Sequence, residues 1–145
     1  MNNYRFYSFT NMYLSSLQKG IQTAHAVSEM SIKEHSQVAN KVYNEWATSD
    51  KTIIVLNGGS QKSLDDIFKV IYDYVSLYCV FSYPFVNFYE DEDSLNGALT
   101  CVGIILPEDE YIKAKNMREG KPILQTMSAL EYDFYSLFAN SSLAN

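Results

Sequence analysis

Two uninterrupted apolar runs limit the folds open to this chain. Thr52-Ile-Ile-Val-Leu56 and Leu99-Thr-Cys-Val-Gly-Ile-Ile-Leu106 are short and rich in β-branched residues. That composition favours strand over helix. A strand with one wet face alternates polar and apolar residues. A run without alternation reads as a strand covered on both faces, as in a parallel pair with helices above and below.

The segments between these runs supply the helices. Tyr4 to Thr10 alternates aromatic with small or polar residues and predicts a first strand. Ser16 to Met30 follows as a helix, with Leu17, Ile21 and Ala24 as its inner face. Gly20 weakens that helix by ~1 kcal/mol relative to Ala. Ser31-Ile-Lys-Glu34 has the spacing of a capping box and predicts a second helix that starts at once. Val38, Val42 and Trp46, with Ala39 and Tyr43, form the inner face of that helix.

Asn57-Gly-Gly-Ser60 reads as a turn. Ser63-Leu-Asp-Asp66 starts a third helix, whose stripe is Leu64, Ile67, Phe68, Ile71 and Val75. Cys79 to Tyr89 reads as a strand interrupted at Pro84, hence an edge or bulged strand. Glu90 to Gly97 is an acidic loop, Pro107 ends the last strand, and a polar stretch carries Gly120 and Pro122. Ser128 to Asn140 predicts a final helix with Leu130, Phe134, Leu137 and Phe138 inward.

Helices between strands imply right-handed parallel crossovers, whereas about ten residues without a helix imply an antiparallel neighbour. The predicted architecture is a single three-layer α/β domain over residues 1–145, with a mixed four-stranded sheet flanked by helices. The length suits one domain of ~100–200 residues.

Composition removes several classes. Hydrophobic residues make up 47% and charged residues 19%, which excludes a disordered chain. No run approaches the ~18 apolar residues of a membrane span. The formal net charge is −6, and the only arginines are Arg5 and Arg118, so a large nucleic-acid footprint is disfavoured. The first residues lack the apolar core of a signal peptide, and Cys79 and Cys101 read as buried free thiols. The expected location is the cytoplasm.

Three stretches resemble the type 2 peptidyl-tRNA hydrolase family. Lys19-Gly-Ile-Gln22-Thr-Ala-His25-Ala26 is similar to the family's Gly-Lys…Ala-Gln-x-x-His-Ala at the start of its first helix. Thr52 to Leu56 followed by Ser63 to Phe68 is similar to its second strand and the helix after it. Gly97-Ala-Leu-Thr100-Cys-Val-Gly-Ile104…Pro107 is similar to its Gly-Thr-x-Thr-x-x-x-Ile-Gly-Pro. The resemblance covers about residues 4–107. It implies that family's fold, an active-site role for Thr100, and substrate contact by Gln22 and Lys19.

The departures are as specific as the matches. Gln18 stands where the family has a lysine, and Lys19 lies one step later. The strand-end Arg-Asp-Ala-Gly signature is replaced by Phe88-Tyr-Glu-Asp-Glu-Asp93, so Glu90 or Asp91 must supply any catalytic carboxylate.

His25 is the sharpest candidate for chemistry. Gln22, His25 and Glu29 share a helical face at three- and four-residue spacing. An imidazole there can activate a water if a carboxylate orients it. It can equally pack between helix and sheet, or pair with Glu29 at the surface. Thr100 is either a satisfied strand hydroxyl or part of a site at the strand end. Lys19 either holds an anion near the helix start or is solvated. His35 reads as a surface group.

No cofactor or metal is expected. Glu90 to Asp93 lacks the spacing of a calcium loop, and Asn57 to Ser60 lacks the lysine of a phosphate loop.

The sequence leaves two functions open. One is a peptidyl-tRNA hydrolase-like scaffold that has lost tRNA-hydrolase activity and binds or regulates a protein partner. Its usage of Asn, Tyr, Ser and Lys with few Arg resembles that of small accessory proteins of AT-rich phage genomes. The other is a hydrolase of an ester or amide on a tRNA- or nucleotide-linked substrate, using His25, Thr100 and Glu90 or Asp91.

Overall fold

The computed structural model describes residues 2–95, 97–121 and 126–144. Pro122, placed by the sequence reading in a polar stretch, lies outside them. The strands are β1 (Arg5–Asn11), β2 (Thr52–Gly59), β3 (Phe85–Tyr89) and β4 (Leu99–Leu106). The helices are α1 (Ser16–Ile32), α2 (Gln37–Glu45) with a π-helical turn at Trp46–Asp50, and α3 (Gln61–Tyr78). A single turn α4 (Glu92–Leu95), then α5 (Glu108–Arg118) and α6 (Ala129–Asn140), complete the order.

The strands form one mixed sheet in the order β2-β1-β4-β3. β1 runs parallel to β2 and antiparallel to β4, and β3 runs antiparallel to β4. The predicted mixed four-stranded α/β sheet is therefore what the chain forms. Side chains alternate across the pleat, so the sheet has two cores. On one face, Tyr4, Phe6, Val86, Cys101 and Ile105 meet Ala26 and Met30 of α1 and Val42 and Trp46 after it. On the other, Tyr7, Phe9, Val102 and Ile104 meet α3, Tyr111 of α5, and Phe134, Tyr135 and Phe138 of α6. Gly103 makes room for a ring on the neighbouring strand: a Cβ there would lie 2.5 Å from Phe6 of β1. Among the described residues no helix is long and apolar enough to cross a membrane.

The structure corrects several local expectations. β2 is an edge strand, and its first residues Thr52 and Ile53 are exposed rather than covered on both faces. Its apolar run is protected partly by the C-terminal tail, where Leu143 bridges Leu56 and the Ala144 N–H donates to the Val55 carbonyl. Ser31 starts no helix. α1 continues through Ile32, and Ser36 caps α2 by accepting from the Ala39 N–H. Val38, expected inside, is exposed. Ser60, not Ser63, caps α3, leaving Ser63 as the residue whose N–H is satisfied. Cys79 closes α3, so β3 is only the second half of the predicted strand, and it is an edge as expected. α5 was not anticipated: Tyr111 and Ala114 are its buried apolar residues, too few to show a stripe.

Candidate functional site

The C-terminal ends of β1, β2 and β3 and the N-terminal end of β4 lie together, because the first three run parallel and the fourth runs against them. α1 leaves this end of the sheet after a short turn. Ser15 caps it and forms a reciprocal box with Gln18. Ligands of open α/β sheets bind at such carboxyl ends.

α1 lies on the sheet by an unexpected face. Its buried residues are Lys19, Gln22, Thr23, Ala26 and Met30. The apolar trio Leu17, Ile21 and Ala24, expected inside, points to solvent instead. The helix thus buries amide, hydroxyl and ammonium groups at its start and apolar groups only in its second half. Lys19 is 8% exposed, so it is not the solvated lysine that one reading allowed.

Buried polar groups need partners, and the sheet provides them. The Thr100 hydroxyl donates to the Gln22 amide oxygen at 2.8 Å and also approaches the Phe88 carbonyl at 3.3 Å. The Gln22 amide nitrogen donates to Glu90 Oε2 at 2.9 Å. The same Glu90 oxygen lies 3.8 Å from His25 Nδ1. His25 also sets its ring against Phe88 in a T-shaped contact with centroids 5.1 Å apart. Four residues from α1, β4 and the end of β3 therefore form one continuous polar chain. Its inner members are sealed, Thr100 being 1% and Gln22 5% exposed, while His25 opens to solvent.

A bulge makes this arrangement. Phe88 pairs with Cys101 and Tyr89 with Leu99, so Thr100 has no opposite number on β3. Strict alternation would put Thr100 on the face of Val102, towards α3 and α6. The extra residue instead turns it towards α1, beside Cys101. Next to it, Ser8 Oγ lies 2.7 Å from Thr23 Oγ1 and 3.0 Å from Cys101 Sγ. Burial pushes the Cys101 thiol up to about 12, against the effect of its bonds to Ser8 and Thr23.

Of the two acids that could serve, Glu90 is the one joined to Gln22 and His25. Asp91 is exposed, and its N–H donates to Glu90 Oε1. Glu29 is exposed, and the carboxylate within ion-pair reach of His25 is that of Glu90. His35 is not a free surface group: its Nε2 lies 2.9 Å from the Met30 carbonyl, and burial lowers its pKa from the ordinary value. Sequence reasoning missed Ser8 and Thr23, whose only signal was their polarity among aromatic or helical neighbours. Among the described residues no group of three or more His, Cys, Asp or Glu side chains could hold a metal.

No protein-family model and no curated protein matches this chain.

Proposed function

We propose that this chain is a type 2 peptidyl-tRNA hydrolase-like scaffold without tRNA-hydrolase activity, acting as a binding or regulatory module for a protein partner. One observation carries the reading: the polar groups that would hold a substrate are engaged with one another. The Gln22 oxygen accepts from Thr100, the Gln22 nitrogen donates to Glu90, and Thr100 is sealed from solvent. The single Thr100 proton is committed to the Gln22 oxygen, and burial closes the hydroxyl to an entering substrate.

Two further features support it. The net charge of −6 opposes a polyanionic tRNA. Leu17 and Ile21, one turn apart on the outer face of α1, stand exposed, with Met12 and Tyr13 exposed in the turn before them. Grouped exposed apolar side chains of this kind mark protein contacts.

A second reading rests on His25. Its Nδ1 lies 3.8 Å from Glu90 Oε2, which orients the ring, and the ring is open to solvent. A water attacking an ester carbonyl would pass its proton to this imidazole, and the leaving group would later recover it.

Turnover separates the two. The purified chain is incubated with an N-acylated aminoacyl-tRNA beside its His25→Ala variant. The binding module predicts the same background release from both. Release by the parent that the variant abolishes would establish the hydrolase.

A further inference from the structure

The opposite end of the sheet carries a second feature, independent of Gln22 and Thr100. A cavity of about 340 Å³ lies between the α1–α2 connection, α3 and the start of β3. Phe68, Tyr72, Phe81, Tyr83 and Phe85 supply its aromatic wall. The rings interlock: Tyr72 meets Phe81 at 5.8 Å and Phe85 at 5.9 Å, edge to face, and Phe68 lies 5.7 Å from Phe85. This volume falls at the small end of the ~300–1,000 Å³ typical of small-molecule sites.

Lys33 is the one cation in this aromatic wall. Its ammonium donates to the Phe85 carbonyl at 2.9 Å and sits 4.5 Å from the centroid of the Phe85 ring. Among the described residues no carboxylate comes within ion-pair distance of it. Burial pushes its pKa below the ordinary lysine value, as expected of a cation held without a counter-charge. Besides the Tyr72 and Tyr83 phenols, the other titratable groups of the wall are Glu34, exposed at the rim, and His35, committed to Met30.

The backbone is bent to complete the wall. Val80 and Phe81 both adopt left-handed conformations, with φ of 47° and 56°. A β-branched residue there is a rare and costly choice. The bend is held by hydrogen bonds from the Phe81 N–H to the Val75 carbonyl and from Ser36 Oγ to the Phe81 carbonyl.

We infer that this cavity binds an apolar, preferably aromatic, group that bears a carboxylate, with the ring among Phe68, Tyr72, Phe81 and Phe85 and the carboxylate on Lys33. The acid supplies the counter-charge that Lys33 lacks. A charge-assisted bond in a place partly closed to water is worth more than one at an open surface. Such a group is available from two sources: a free aryl acid, or the C-terminal aromatic residue of a peptide chain.

The test is a titration followed by amide 1H–15N spectra. The probes are 3-phenylpropionate, 3-phenylpropan-1-ol, and the peptide Gly-Gly-Gly-Phe with a free or an amidated C-terminus. The acid is expected to move the signals of residues 33–36 and 81–85 and to bind at least fivefold tighter than the alcohol. Lys33→Gln is expected to remove that preference, and Lys33→Arg to keep most of it. The dispersion of each variant's spectrum shows that it is folded. Tighter binding of the free-ended peptide than of its amide and of phenylpropionate assigns the ligand to a chain end. Binding of phenylpropionate with no peptide preference assigns a free acid. Equal binding of acid and alcohol, an unchanged preference in Lys33→Gln, or shifts confined to other residues would overturn the inference.

Discussion

Thr100 and Gln22, 78 residues apart in the chain, share a buried hydrogen bond of 2.8 Å that joins β4 to α1. The bond exists because a one-residue bulge turns Thr100 out of the alternation of its strand. It also completes Gln22, whose other amide atom is held by Glu90. The helix can bury Gln22 and Thr23 here because Thr100, Glu90 and Ser8 meet them.

The acid stability of the fold is expected to depend on His35. Its neutral ring donates from Nε2 to the Met30 carbonyl, and burial lowers its pKa. The folded state therefore resists a proton that the unfolded chain accepts below about 6.5. The stability from this group is complete above that pH and declines as the pH falls towards the folded value. Urea midpoints measured between pH 8 and pH 5 should fall on acidification, and His35→Gln should flatten the slope over that interval.

Glu110 is expected to be a stability residue. It lies buried on α5 and accepts from Tyr74 of α3 at 3.0 Å and from Tyr135 of α6 at 2.7 Å. The two phenols also lie 2.7 Å apart. Burial and this carboxylate raise the pKa of both, so both stay protonated and donate. Glu110→Leu removes the acceptor of both hydroxyls, leaving the bond between them and the one from Lys113 to Tyr135, and should cost about 2–3 kcal/mol in urea unfolding. Glu110→Gln keeps an acceptor oxygen and should cost less.

Neither thiol is expected to react readily. Cys101 is fully buried and pushed up to about 12, and Cys79 is pushed up to about 11, chiefly by burial. The thiolate is the nucleophile. An aromatic disulfide reagent at pH 8 should label the folded chain slowly, through Cys79 first, and should label both cysteines once guanidinium unfolds it. Rapid labelling of Cys101 in the folded chain would contradict its placement.

What was legible in the sequence follows from how each element is stabilised. The apolar run of β4 and the stripe of α3 declare themselves because packing alone decides their residues. β2 shows the limit of that signal: its β-branched run looks doubly covered, yet Thr52 and Ile53 stand at an exposed edge. Strand propensity and burial favour the same residue types, so the run could not tell one from the other. α5 was hidden because charge, rather than a stripe, marks it. Its first turn holds Glu108, Asp109 and Glu110, and its last holds Lys115 and Arg118, the arrangement that suits a helix dipole.

The candidate site was legible in part, and for a different reason. Gln22 and His25 showed as neighbours on a helix, but periodicity turned that helix the wrong way. Leu17 and Ile21 looked like its inner face, and no local pattern reveals that Ser8 and Thr100 wait on the sheet to receive polar groups. The bulge at Thr100 depends on the pairing of β3 with β4, which is a long-range relationship. Nor did spacing choose between Glu90 and Asp91, since only the path of the chain after β3 decides which carboxylate meets Gln22.

Gln22 and Thr100 act as one buried unit. A double-mutant cycle tests it, with Gln22→Leu, Thr100→Val and the pair measured by urea unfolding. Each single change should cost about 1–3 kcal/mol, because it leaves a buried partner unsatisfied. The pair should cost less than the sum, with a coupling of about 1–2 kcal/mol. Additive costs, within ~0.5 kcal/mol, would contradict the account.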